Sequence, residues 1–301
     1  MKKLCIAFAA IGLVLLIAGI IISGIYTSMG YSVDLDDIGL NRSRSDSVQD
    51  TQVTETSIAV ESSDSVSTTD DSYYHSYPYS TEINGIKIDV SAADVYVDYS
   101  DYFSVSASGV ETQKFDESVD ENGILKINYE NNDIINLSQY LDYEIPSINI
   151  TLPSNELDSV KINMSTGSVS VYGLNAQTLD VELTAGNISL SGINIAESAK
   201  IQTTAGSTSI YESAISNLDL DKTAGDLYVE GSVLTDTIKI SNTAGDCSIN
   251  LSGNIDDYSF NVSKAAGDLN INNNSSIPVN EDAPNKFVIS LIAGDIYINI
   301  E

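Results

Sequence analysis

From about residue 83 to the end, the chain is built from short runs of alternating apolar and polar residues, arranged in pairs around a glycine turn. Aligned on that glycine, the position five before it holds Ile162, Val181, Ile201, Leu220, Ile240, Val262 and Ile289. The position four after it holds Val171, Leu190, Ile210, Val229, Ile249, Ile271 and Ile298. Aliphatic residues also dominate seven before and two after, as in Leu218 and Leu227 around Gly225. Period-two spacing on both sides predicts two short strands per unit, each with an inward apolar face.

The turn glycines are Gly167, Gly186, Gly206, Gly225, Gly245, Gly267 and Gly294, spaced 19, 20, 19, 20, 22 and 27 residues apart. The fullest form of the turn is Thr-Ala-Gly-Asp, at 223–226 and 243–246. A fixed period of this length signals stacked units, each burying its apolar face against its neighbours. The predicted fold is therefore all-β: a parallel β-solenoid, or single-stranded β-helix, of about 19–22-residue coils. One transmembrane α-helix is predicted to precede it. The seven glycines are read as structural turn residues, supplying positive φ or room for close approach of coils.

Three residues before the glycine the pattern loosens to Met164, Leu183, Thr203, Lys222, Asn242, Lys264 and Leu291, which predicts a site near a corner where a lysine reaches water. An eighth copy, Ile86 to Val97, has Ala93 in place of glycine and is followed by a stretch that breaks the period. Residues 83–160 are read as the first coil with a capping insertion, and 161–301 as the regular repeats. The last strand, Ile296 to Ile300, has nothing after it to cover its edge. Either the longer final units fold over it, or the domain self-associates through this C-terminal coil.

Ahead of the repeats, Lys2 and Lys3 precede 23 uncharged residues, Leu4 to Tyr26. As a helix these would span roughly 34 Å, enough to cross a bilayer. The stretch is longer than the apolar part of a cleaved signal, so 1–31 is read as a retained anchor. The lysines place the N-terminus in the cytoplasm and the C-terminal domain outside, as a single-pass protein of the cell membrane. Residues 32–82, rich in Ser, Asp and Thr, read as a disordered extracellular linker. They contain both arginines and the one histidine, His75, within a tyrosine cluster expected to pack on the first strand or to contact a sugar.

All 43 acidic residues follow the apolar stretch, so the exported part is strongly negative and nucleic acid is excluded as a partner. Cys247 occupies an inward position and reads as a buried, inert thiol. No His or Arg follows Glu82, which removes the usual general base and the best anion clamp; no catalytic residue and no cofactor is assigned. The same-face carboxylates Asp219 and Asp221, and Asp180 and Glu182, keep a polysaccharide-active β-helix enzyme as a remote third reading. Asp226, Asp246, Asp268 and Asp295 follow turn glycines in one file: corner formers, or weak calcium ligands. Tyr172, Tyr211, Tyr228 and Tyr297 point outward; Tyr228 and Tyr297 share a repeat position three units apart.

The repeated Thr-Ala-Gly-Asp turn followed by alternating aliphatics resembles the bacterial domain-of-unknown-function family labelled "putative adhesin". The resemblance covers about residues 83–301 and implies a β-solenoid on the cell surface, common in Gram-positive bacteria. Together these readings predict a non-enzymatic, membrane-anchored extracellular binding or scaffolding protein of the cell envelope. Its expected partners are the membrane through residues 4–26, and cell-wall polymer or an envelope membrane protein. The alternative is an accessory sensor or regulator of envelope stress acting through a membrane-protein partner.

Overall fold

The computed structural model describes residues 64–78, 80–130, 145–154, 156–278 and 280–301. A hairpin of β1 (Ser65–Thr68) and β2 (Ser72–Ser76) precedes the first long and short pair, β3 (Gly85–Ala92) and β4 (Asp94–Tyr99). A detour follows through β5 (Ser104–Ser108), β6 (Phe115–Val119), β7 (Ile124–Tyr129) and β8 (Ser147–Leu152). The regular pairs are β9 (Glu156–Thr166) with β10 (Val169–Tyr172), β11 (Asn175–Ala185) with β12 (Ile188–Ser191), and β13 (Asn194–Ala205) with β14 (Thr208–Tyr211). A short β15 (Ala214–Ser216) leads to β16 (Leu218–Ala224) with β17 (Leu227–Thr235), then β18 (Thr237–Ala244) with β19 (Cys247–Leu251). A 3-10 turn at Ile255–Asp257 introduces β20 (Tyr258–Ala266) with β21 (Leu269–Ile271), and the chain closes with β22 (Asn285–Ala293) and β23 (Ile296–Ile300).

Like strands of the coils stack in parallel, forming a long-strand sheet before the glycine turns and a short-strand sheet after them, to which β1, β2, β5 and β6 add antiparallel. The long-strand order is β6-β7-β3-β9-β11-β13-β16-β18-β22-β20. The short-strand order is β1-β2-β5-β8-β4-β10-β12-β14-β17-β19-β23-β21. Period two explains the packing: Val160, Ile162, Met164, Val169 and Val171 of one coil are buried, and so are their counterparts through the interior layers. Aromatic rings close both ends of this aliphatic column. Tyr77 stacks on Phe103 with ring centres 4.0 Å apart at one end, and Phe260 on Phe287 at 5.4 Å at the other.

Layer order departs from chain order at both ends. β3/β4 lies inside β7/β8, and the final pair β22/β23 slots between β18/β19 and β20/β21. The C-terminal strand is therefore an interior strand, and the self-association predicted through it is corrected: its edges are already paired with β19 and β21. Asn272 adds to this, its side-chain amide donating to the Ile300 carbonyl and accepting from the Ile300 N–H. The outermost layer is instead β20/β21, whose short strand and exposed Lys264 make a poor template for further pairing.

The glycines record the same order. A Cβ on Gly225, whose φ is +111°, would collide with the carbonyl oxygen of Gly206. The collision recurs along the spatial series Ala93, Gly167, Gly186, Gly206, Gly225, Gly245, Gly294, Gly267, each residue meeting the carbonyl of the one before. Backbone approach at the corner, together with positive φ, is what the glycine permits.

Two further expectations are corrected. The transmembrane helix expected at residues 4–26 lies outside the described residues, and among the described residues no helix is long and apolar enough to cross a membrane. The fold class becomes an almost entirely β-stranded domain. The linker expected to run to residue 82 is strand from Ser65, because β2 pairs antiparallel with β5 and extends the short-strand sheet. Most of the expected linker, residues 32–63, lies outside the described residues, as do 131–144 of the insertion.

Candidate binding face

The turn that orders the coils also directs side chains outward on the short-strand sheet. Positions three and five after the glycine alternate with the buried ones, so they form two outward rows across the sheet. In the first row Tyr96 is followed by Ser170, Ser189, Ser209, Tyr228 and Ser248, then Tyr297 and Asn270. In the second, Asp98, Tyr172, Ser191, Tyr211, Glu230, Asn250 and Asn299 succeed one another. Tyr96, Tyr172, Tyr211, Tyr228 and Tyr297 are all exposed, Tyr172 most of all at 64%.

Register turns these residues into a strip. Tyr96 and Tyr172 are diagonal neighbours on adjacent strands, as are Tyr211 and Tyr228. Tyr172 and Tyr211 lie two strands apart with Ser191 between them; Tyr228 and Tyr297 lie two strands apart with Ser248 between them. Five of seven successive strands thus carry a tyrosine, over roughly 29 Å at ~4.8 Å per strand. Tyr228 and Tyr297 are one layer closer than their repeat positions predict, because β22/β23 enters beside β18/β19. Tyr96 shares their offset, counted from Ala93, a signal present in the sequence but hidden by the missing glycine.

Two of these rings are held. The Tyr228 hydroxyl donates to Asp226 Oδ2 at 3.1 Å and the Tyr297 hydroxyl to Asp295 Oδ2 at 3.4 Å. The hydrogen bond from Asp226 raises the Tyr228 phenol above its ordinary value, and the charge of Asp295 does the same to Tyr297. The turn aspartates are themselves engaged along the stack. Asp226 Oδ1 accepts the Asp246 N–H (2.9 Å), Asp246 Oδ1 that of Asp295 (2.8 Å), and Asp295 Oδ1 that of Asp268 (2.7 Å). The calcium candidates Asp226, Asp246, Asp268 and Asp295 therefore form one file, with Asp295 between Asp246 and Asp268. Among the described residues no group of three or more His, Cys, Asp or Glu could hold a metal ion.

The outer long-strand sheet is charged instead. A groove of about 670 Å³ crosses it, lined by Asp89, Asn163, Glu182, Gln202 and Asp221 among others. Three of the four same-face carboxylates are paired with lysines, Asp180 with Lys161 at 2.9 Å, Asp219 with Lys239 at 2.9 Å and Glu182 with Lys200 at 3.8 Å, while Asp221 lines the groove. Ion pairs of this kind occupy the carboxylates in a cross-strand ladder.

Two polar clusters, one buried and one half-buried, escaped sequence reasoning. Lys222, expected near water, is only 1% exposed; its Nζ donates to the Gly206 carbonyl (2.7 Å) and to Thr208 Oγ1 (3.1 Å). Burial pushes it down to about 8 and pushes the neighbouring Cys247 thiol up to about 11. His75 sits between Glu117 Oε2 (2.8 Å, Nδ1) and Asp64 Oδ1 (2.7 Å, Nε2), stacked on Tyr77. The Tyr73 hydroxyl donates to the same Glu117 oxygen at 2.7 Å, and desolvation with that bond raises its pKa.

The family model described as Toastrack DUF4097 matches residues 83–299. The chain belongs to the toastrack DUF4097 family. Among solved structures, this toastrack domain is similar to a "putative adhesin" from Bacteroides fragilis, 12% identical with a TM-score of 0.37 over 77% of this chain and 98% of that one. A "putative cell adhesion protein" from Clostridium sporogenes is 12% identical, with a TM-score of 0.31 over 76% of this chain and 99% of that one. A "putative lipid binding protein" from Parabacteroides distasonis is 12% identical, with a TM-score of 0.26 over 77% of this chain and 97% of that one. Among curated proteins nothing matches.

The expected membrane partner through residues 4–26, and the single-pass topology with a cytoplasmic N-terminus, are corrected: those residues lie outside the described ones, and no described helix could cross a bilayer. The anchoring part of the expected function goes with them.

Proposed function

We propose that this toastrack domain is an extracellular, adhesin-like binding domain that meets its partner across the outer face of the short-strand sheet. One observation carries this: five exposed tyrosines line up on a face whose two rows hold two charges, Asp98 and Glu230, in a chain of net charge −30. The outer face of the long-strand sheet carries ion-paired charges instead, so their scarcity here marks a surface put to another use. Tyrosine supplies contact area at low entropic cost, and serine and asparagine supply adaptable hydrogen bonds.

The test is attachment of the purified chain to isolated cell-wall material, compared with Tyr172→Ser/Tyr211→Ser/Tyr228→Ser. Attachment lost in the triple variant, with the melting midpoint unchanged, is the expected result. Attachment equal in both proteins would overturn the assignment to this face.

A further inference from the structure

We infer that the tyrosine strip takes an uncharged, extended polysaccharide laid along the stacking axis; this rests on the binding face proposed above and names its ligand. Two observations select that chemistry. The file of Asp226, Asp246, Asp295 and Asp268 runs alongside the strip, so an anionic polymer would meet repulsion for its whole length. A cationic ligand would find only Asp98 and Glu230 within the rows themselves, because the carboxylates of Asp226, Asp246 and Asp295 already accept backbone N–H groups and, in two cases, a tyrosine hydroxyl. What remains is a neutral chain that can both stack on rings and exchange hydrogen bonds with hydroxyl and amide groups, which describes a glycan.

Spacing narrows the shape. Tyr172 and Tyr211, like Tyr228 and Tyr297, recur at two-strand intervals, about 9.6 Å. That interval is close to the disaccharide repeat of a flat, β-1,4-linked pyranose chain, so alternate sugars would present a face to a ring. Between the rings Ser191 and Ser248 offer hydroxyls at the level of the intervening sugar. The Asp226 and Asp295 bonds hold the Tyr228 and Tyr297 hydroxyls before any ligand arrives, which lowers the ordering cost of binding. A coiled α-linked glucan does not keep this register.

Isothermal titration of the full chain with cellohexaose and with the hexamer of N-acetylglucosamine tests the inference. Maltohexaose and a hyaluronan hexasaccharide serve as the coiled and anionic comparisons. Expected is binding of at least one β-1,4 neutral oligomer, at least tenfold tighter than either comparison, and weakened at least tenfold by Tyr228→Ala/Tyr297→Ala. Equal or tighter binding of hyaluronan or maltohexaose would overturn it, as would insensitivity to the tyrosine pair. Binding to none of the four also overturns it; tyrosine-dependent attachment to wall material would then leave the binding face standing with another ligand.

Discussion

The carbonyl of Gly245 fills the space in which a side chain of Gly294 would begin, although a complete coil, that of Gly267, separates the two glycines in sequence. The closing pair of strands is thus an inner layer, with β19 on one side and β21 on the other. Truncating its core residues should cost what interior truncations cost. Ile298→Ala, at 2% exposure, should lose about 2–5 kcal/mol, similar to Ile249→Ala in β19. Leu269→Ala in the half-buried outer strand should lose less. Urea denaturation of the three variants decides; an Ile298→Ala cost below that of Leu269→Ala would contradict this layer order.

The same contact makes the turn glycine hard to replace. Gly225→Val forces a β-branched residue to φ near +111° and drives its Cβ into the Gly206 carbonyl. Strain and collision together should cost more than about 2 kcal/mol. Gly173→Ala, at positive φ but with open space around its missing Cβ, should cost less. Thermal unfolding of the pair separates backbone conformation from collision.

The inward aliphatics were legible because a two-residue period leaves little choice of face: Ile162, Val181 and Ile201 could point only one way. Layer order was not legible, since every coil offers equivalent edges and Gly294 fits against Gly245 as well as beside Gly267. The tyrosine strip inherited that uncertainty; its offsets could be read, its neighbours could not. Lys222 misled because a lysine in an aliphatic column suggests nearby water, whereas the Gly206 carbonyl and Thr208 hydroxyl receive it indoors. His75 and Glu117 meet because two antiparallel additions outside the repeat, β2 on β5 and β6 on β7, end the two sheets side by side, and no period foretells that contact.

Lys222 should write itself into the pH dependence of stability. Its folded pKa is about 8, against 10.5 unperturbed, so between those values the unfolded chain binds more protons and stability rises with pH. From pH 8 to 9 the gain should be about 1 kcal/mol. Above 9 the Cys247 thiol, raised to about 11, acts in the opposite direction, because the folded state then holds the extra proton. Urea midpoints at pH 8 and 9 should diverge in the wild type and converge in Lys222→Met. A rise that persists in the variant would place its origin elsewhere.

His75 has the reverse sign. Burial alone would lower its pKa, but the hydrogen bonds to Glu117 and Asp64 prevail and raise it above 6.5. Protonated His75 therefore stabilises the β1–β2 hairpin fully below pH 6.5, and the contribution fades as pH climbs through the raised value. Amide exchange at Ser72–Ser76 should be better protected, after correction for intrinsic rate, at pH 6 than at pH 9. The difference should shrink in His75→Gln, while amides of β11 lose no protection as pH rises in either protein, since Lys222 acts there with the opposite sign.

The aspartate file invites a test with calcium and one without it. Each Oδ1 of Asp226, Asp246 and Asp295 already accepts a backbone N–H from the next layer, and Oδ2 of Asp226 and Asp295 meets a tyrosine hydroxyl. A cation would have to displace those bonds, so millimolar calcium should leave the melting midpoint within error. Stacked carboxylates repel one another, however, and Asp246 stands between two of them. Asp246→Asn keeps the acceptor for the Asp295 N–H and removes one charge, so it should raise stability by a few tenths of a kcal/mol. Asp246→Ala removes the acceptor as well and should cost about 1 kcal/mol. If calcium raised the midpoint and Asp246→Asn abolished the rise, the file would be a metal site after all.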